Sequence, residues 1–392
     1  MDFPATPTIR PFTIAVPDAE LDDLRDRLAR TRRAPAPSAG WERGVPQDYL
    51  DGLARHWAEE YDWRAHEAEL NALPQFVADF DGQPVHFLHV RSPEPDALPL
   101  ILTHGWPSSP VEFLRVIGPL TDPRAHGGDP AAAFHVVVPS LPGYGFSTPM
   151  REGWGNLFKV AAAWAALMSA LGYEAFAVHG TDAGSGVAGM LPMVAPGRVV
   201  GTHISGTAAA MPFGPPLALD GLGPADRARA ERFNAFREDG TGYLLEMATR
   251  PATIGHLLAD SPAGLLAWMT EKFREWTDPA AALPEDAVDR DLLLTQVSIA
   301  WFTGAGADAA NAVYEGMQAW RAIEAAADGG GFEAPAGPPQ AVSVFAADTT
   351  IRSVLDPKGE MTWIEHDRGG HFPAMETPDL LVEDLRAVFA AR

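Results

Sequence analysis

The 392-residue sequence contains no cysteine. That excludes disulfides, thiolate metal ligands and a cysteine nucleophile. Lysine is nearly absent, occurring only at Lys159, Lys272 and Lys358, and there are only six tyrosines. No uninterrupted apolar run approaches the ~20 residues that span a bilayer. Residues 1–7 offer neither a basic nor an apolar signal region, so a soluble, cytoplasmic protein is expected. Positive charge is also short. Lys and Arg total 29 against 52 Asp and Glu, a formal net charge of −23. Neither nucleic acid nor an anionic membrane surface is an expected partner of such a chain. The shortage of Lys beside abundant Arg, Ala and Pro points to a GC-rich bacterial genome.

What is present is apolar content, 46% of residues, enough for a large core. Length alone allows two or three domains. The organising stretch is Gly180-Thr181-Asp182-Ala183-Gly184. An apolar run over 175–178 reads as a buried strand leading into it, and the small-residue segment 187–191 reads as a helix leading out. Strand, sharp Gly-x-acid-x-Gly turn and helix make a nucleophile elbow. The usual elbow carries serine; Ser185 lies off that position, and the elbow residue here is Asp182. A carboxylate gains nothing by attacking an ester carbonyl, because the product is an anhydride. It can attack an sp3 carbon bearing a leaving group and form an alkyl ester. Epoxide opening and carbon–halogen cleavage are the chemistries left. The competing reading is an Asp that caps the following helix.

Residues 9–18 read as an extended stretch, with Asp18 as N-cap of a charged helix over 19–33. Leu21, Leu24 and Leu28 give that helix one apolar face. A Pro-rich link at 34–38 and a second helix over 47–61 follow. Residues 1–75 are thus expected to be a helical extension packed on the core. Strands over 76–80 and 85–90 form a hairpin at Asp81-Gly82. Further strands over 98–102, 134–138 and 199–204, with a helix over 161–171, imply a mostly parallel sheet covered on both faces. Residues 76–209 form the first part of this core. Residues 210–338 break the rhythm and read as a Trp-rich helical lid, joined back by a Gly/Pro-rich linker at 329–339. Residues 339–392 complete the core with strands at 341–345 and 361–364 and an amphipathic helix over 380–389.

Several separated blocks resemble the epoxide hydrolases related to the microsomal and juvenile-hormone enzymes. Ile9-Arg10-Pro11-Phe12, the segment 23–28 and Tyr61-Asp62-Trp63-Arg64 match the N-terminal extension of that family. His104-Gly105-Trp106-Pro107-Ser108-Ser109 with Glu112-Phe113 matches its oxyanion loop. The segment 260–265, Glu271-Lys272-Phe273 and Trp276-Thr277-Asp278 match its lid. Gly369-Gly370-His371-Phe372 with Glu376-Thr377-Pro378 matches the block bearing its catalytic histidine. The resemblance runs nearly end to end and implies an α/β-hydrolase fold.

It also implies roles. Asp182 is the nucleophile, and His371 the base that activates water for ester hydrolysis, as suits an imidazole. Asp348, just past the strand that ends at Phe345, is the preferred orienting acid. Asp356 and Asp367 are its rivals, the first reading better as a turn and the second as loop surface. The order nucleophile, acid, histidine is that of the α/β-hydrolases. Backbone N–H groups of Trp106 and Ala183 form the oxyanion hole. Tyr243 and Tyr314, both in the lid, protonate the departing epoxide oxygen. His104 and Tyr144 are expected to be structural. The partners implied are a small-molecule epoxide and water, with no cofactor, no metal, and a homodimer admitted. A haloalkane dehalogenase would need halide-binding groups where Pro107 and Ala183 stand; a non-catalytic ligand receptor would lack the catalytic set. Many relatives place Trp after the nucleophile. Ala183 removes that indole and points to a bulkier, polycyclic aromatic epoxide, of the kind met in natural-product pathways.

Overall fold

Nine strands form one sheet in the computed structural model, which describes residues 6–34, 40–207, 212–326, 338 and 340–389. They are β1 (Thr8–Pro11), β2 (Gln75–Phe80), β3 (Gln83–Val90), β4 (Leu98–Thr103), β5 (Phe134–Pro139), β6 (Phe176–Thr181), β7 (Val199–Ser205), β8 (Gln340–Val344) and β9 (Thr362–Glu365). Their order across the sheet is β1-β2-β3-β5-β4-β6-β7-β8-β9. The strands up to β3 pair antiparallel, as does β3 with β5, and the rest are parallel. The β2–β3 turn places Asp81 at φ 55° and Gly82 at φ 87°, the double positive φ that a two-residue hairpin needs.

The sheet is buried on both faces because side chains alternate along each strand. Ile101, Val137, Phe176 and Val178 face the helices Leu157–Ala170 and Ala183–Val194. Leu100, Leu102, Val136, Val138 and Ala177 face the helices Leu114–Thr121 and Pro378–Phe389. Continuous apolar runs, not alternating ones, are what such strands require.

Between β7 and β8 the chain leaves the sheet and builds the lid. Its main helices are Pro224–Ala235, Gly242–Thr249, Pro251–Asp260, Pro262–Glu275, Arg290–Thr303 and Ala305–Ala326. The N-terminal extension packs on the core through Val111, Phe372 and Met375, and its helices also pack on the lid. Leu21, Leu24, Leu28, Leu53, Trp57 and Trp63 share one core with Leu265, Leu266, Phe273, Leu294 and Val297 of the lid. Trp57 Nε1 donates to Ser298 Oγ at 2.8 Å, and the Tyr61 hydroxyl meets Thr295 Oγ1 at 2.9 Å. The extension therefore braces the lid, and only β1 joins the sheet. Asp18 is not an N-cap: Pro17 holds that position, and the Asp18 carboxylate binds Arg64. Arg64 also donates to Glu67 at 2.5 Å and to the Val16 carbonyl at 2.6 Å, while Asp62 caps the helix Trp63–Asn71. The Tyr-Asp-Trp-Arg block is thus a cap followed by a clamp. The Pro-rich link at 35–38 and nearly all of the run 329–339 lie outside the described residues. No helix of the described residues is long and apolar enough to cross a membrane.

Candidate active site

Parallel strands deliver their following loops to one edge of the sheet, where open α/β sheets bind ligands. Asp182 follows β6, the Trp106 loop follows β4, Asp348 follows β8 and His371 follows β9. The β4–β6 register pairs Thr103 with Gly180, which sets the Trp106 loop beside the nucleophile.

Asp182 has φ 55° and ψ −122°. A non-glycine residue held there stores roughly 1–3 kcal/mol of strain, which its surroundings must over-determine. They do so by close packing. A Cβ on Gly184 would lie 2.0 Å from the Thr103 carbonyl oxygen, and one on Gly105 would lie 2.2 Å from Asp182 Oδ1. The Asp182 side chain makes no helix-capping hydrogen bond, so the capping reading fails. Ser185 donates its hydroxyl to the Asp182 carbonyl oxygen at 2.5 Å and is held on the backbone.

The two Asp182 carboxylate oxygens have different surroundings. Oδ1 accepts the Trp106 N–H at 2.9 Å. Oδ2 faces His371 Nε2 at 3.6 Å. Ala183 opens the helix Ala183–Val194, so its N–H belongs to the first turn, whose donors have no intrahelical partner. The Trp106 loop is pinned from the lid: Gln296 Nε2 donates to Ser108 Oγ at 2.8 Å, and Ser109 Oγ donates to Gln296 Oε1 at 2.5 Å. His104 is fully buried and accepts the Leu141 N–H at Nε2, and its ring packs on Tyr144.

His371 is half-buried, and its Nε2, itself out of solvent, has no hydrogen-bond partner among the described residues. Burial holds the imidazole pKa below the usual 6.5, against the opposing pull of the Asp182 carboxylate. Its ring packs on Trp276 and Phe372, each with a centroid distance of 4.9 Å. Its loop is tied to the lid. The His371 N–H donates to the Trp276 carbonyl at 2.8 Å, and the Gly369 N–H to Asp278 Oδ2 at 2.7 Å. Glu376 joins both sides, accepting from Phe372 N–H at 3.0 Å and Asp278 N–H at 2.8 Å.

The other expected residues are less closely drawn in. Among the described residues, only the Asp182 carboxylate lies within 4.0 Å of the imidazole nitrogens. Asp348 is buried nearby, and its loop holds the histidine loop through Ala347 N–H to the Gly369 carbonyl at 3.2 Å. Its Oδ2, however, accepts the Phe345 N–H at 2.8 Å and closes its own turn. Asp356 accepts from Glu360 N–H at 2.7 Å as a turn residue, and Asp367 is exposed. Tyr243 stacks on the Trp106 ring at 4.7 Å and 16°. Burial first, then the Asp182 charge, raise its phenol pKa well above 10.0. Tyr314 sits on the helix Ala305–Ala326, which packs on the helix of Tyr243. Its side chain is 37% exposed, with no contact to Asp182 among the described interactions.

Residues 9–113 match the family described as epoxide hydrolase N terminus, and residues 100–384 the alpha/beta hydrolase family. A protein of Stigmatella aurantiaca assigned as an epoxide hydrolase is 42% identical, over 97% of this chain and 84% of its own length. The chain belongs to the epoxide hydrolase family. The Aspergillus niger epoxide hydrolase structure superposes with a TM-score of 0.82 at 31% identity, covering 99% of this chain and 98% of that one. The silkworm juvenile hormone epoxide hydrolase superposes with a TM-score of 0.84 at 26% identity, covering 98% and 95%.

Two further carboxyls of this epoxide hydrolase flank the site, Glu112 buried and Glu376 half-buried. Glu112 is buried within reach of the Asp182 charge, and its Oε1 has no partner among the described residues. Burial and the Asp182 charge push its pKa up to about 8, against a hydrogen bond from Ser108. Glu376 is pushed up to about 8, chiefly by burial. Asp348 rises to about 7 by burial, against the Phe345 N–H and the charges of Arg229 and Arg232. Spacing could not reveal these shifts, because they come from three-dimensional burial. Each such group holds its proton more tightly in the folded state than in the unfolded chain, where it ionises near pH 4. Its stabilising contribution is therefore complete below the unfolded pKa and lost as pH rises through the folded value. Glu112→Gln should flatten the fall in melting temperature between about pH 5 and pH 8. Parallel melting curves for variant and parent across that range would contradict the assignment.

Proposed function

We propose that this epoxide hydrolase converts an epoxide to a vicinal diol through a covalent ester on Asp182. One observation carries the reading: Trp106 N–H holds Oδ1, while Oδ2 faces His371 Nε2 across 3.6 Å. Oδ2 attacks an epoxide carbon, the carbon–oxygen bond breaks, and the departing oxygen takes the Tyr243 proton. Oδ1 is then the ester carbonyl oxygen, already at the donors that stabilise its negative charge during hydrolysis. His371 takes a proton from water as the water oxygen adds to the Asp182 carboxyl carbon. The acyl carbon–oxygen bond breaks, and the diol oxygen recovers that proton. The regenerated Asp182 carboxyl returns its own proton to the Tyr243 phenolate.

Asp348 serves as the orienting acid, supported by its burial and its loop's hydrogen bond to the histidine loop. Tyr314 serves as a second donor, supported by the packing of its helix on that of Tyr243. Trp106, Trp276 and Tyr243 form an aromatic wall beside the nucleophile, with Tyr243 and Trp276 at 5.3 Å. With only a methyl at Ala183, that wall suits a bulky aromatic epoxide. A single turnover in 18O-water with enzyme in excess tests the ester. The diol should emerge unlabelled, with the label in Asp182. Label in the first-formed diol would show direct attack by water and end the proposal. In the same assay, bulky aryl epoxides should turn over faster than small ones; equal or reversed rates would end the substrate assignment.

A further inference from the structure

Lys272 belongs to the Glu-Lys-Phe block, which the mechanism has left without a task. It is one of three lysines in the chain, and its side chain is only 4% exposed. A buried ammonium must be paired, and Lys272 Nζ lies 2.5 Å from Glu271 Oε1 and 2.8 Å from Glu275 Oε2. Pairing alone does not account for the burial. Both glutamates are partly exposed, at 32% and 43%, and a lysine could meet them in solvent. The ammonium instead turns inward, 4.9 Å from the Tyr243 ring centroid and 5.7 Å from that of Trp276. The Tyr243 ring also stacks on Trp106, whose N–H holds the nucleophile.

The other groups around Tyr243 oppose its loss of a proton. Asp182 and Glu275 are negative, and the Tyr144 phenol lies nearby. Glu271 and Asp239 add negative charge around Glu275. Opening an epoxide places negative charge on the Tyr243 oxygen in the midst of these groups. A desolvated cation within about 6 Å of an aromatic ring interacts strongly with it.

We propose that Lys272 is a positioning residue for proton donation: its ammonium holds the Tyr243 ring and offsets the negative charge that reaches the phenol as the epoxide opens. The inference rests on Tyr243 as the proton donor. It predicts that Lys272 acts on ester formation and not on ester hydrolysis, in which the phenol only recovers its proton.

Rapid-mixing kinetics resolve the two steps, with ester formation followed by quench and mass spectrometry. Lys272→Met should slow ester formation about 10- to 30-fold and change hydrolysis less than about twofold. Lys272→Arg should restore most of the rate. Glu275→Gln removes a negative charge from the same cluster and should quicken ester formation. A purely structural role predicts the opposite pattern, with both Lys272→Met and Glu275→Gln slowing both steps; that result would overturn the proposal. If Lys272→Met does not fold, the sign of the Glu275→Gln effect still decides. Tyr243→Phe separates the two readings. Undiminished ester formation in Tyr243→Phe would remove the donor itself. Slow ester formation in Tyr243→Phe with no effect of Lys272→Met would remove only the role of Lys272.

Discussion

An Asp182→Ala variant should lose at least about 10⁴-fold in turnover while melting within a degree or two of the parent. The two halves of that expectation have separate causes. Asp182 supplies the atom that bonds to substrate, and no neighbouring group can replace it: Ser185 is held on the backbone, and Glu112 is fully buried, with its pKa pushed up to about 8. Its side chain is 31% exposed, so truncation opens no core cavity. The contact given up is one part-buried hydrogen bond, from Trp106 N–H, worth about 1 kcal/mol. Activity assays beside thermal melts check both. Retained turnover would remove Asp182 as nucleophile, and a collapse in stability would make it a structural residue.

His371→Gln should separate the two halves of the cycle. Ester formation needs the carboxylate and the phenol, so it should proceed. Hydrolysis should fall about 10²- to 10⁴-fold, the usual worth of a general base. The ester should then accumulate, and intact-protein mass spectrometry should show a gain equal to the whole epoxide, mapped to Asp182. A haloalkane control should leave no alkyl adduct. In the parent enzyme the pH profile of hydrolysis carries a related signature. Only neutral imidazole accepts a proton, so the rate rises with pH through the His371 pKa. Burial lowers that pKa from 6.5, and esterification removes the Asp182 charge that opposes the lowering. The midpoint of the rise should therefore fall below pH 6.5. A midpoint above it, or a variant that forms no adduct while the parent turns over, would remove His371 as the base.

Much of this was legible in the chain. The elbow could be read because its geometry leaves so few residue types. The turn after β6 admits no Cβ at Gly184, and the approach of the β4 loop admits none at Gly105. The buried strands could be read from continuous apolar runs, and the β2–β3 hairpin from Asp81-Gly82. The packing of the extension on the lid was not legible. Its apolar face has the right period for a helix, but period says only that a face is buried, never against what. Leu24 and Trp57 could equally have met the sheet; the structure places them on the lid.

What the sequence determined by itself is therefore local and chemical: an acid at a nucleophile elbow, a histidine after the last strand, and no thiol. Tertiary structure decided how these groups are charged and which of them meet. It set Trp106 N–H on one oxygen of Asp182 and His371 on the other. It left the Asp348 carboxylate in its own turn and Tyr314 partly in solvent. It raised the buried carboxyls and turned Lys272 inward beneath Tyr243. The physical reason is that burial and distance govern electrostatic interaction, and neither is a property of neighbouring letters in a chain.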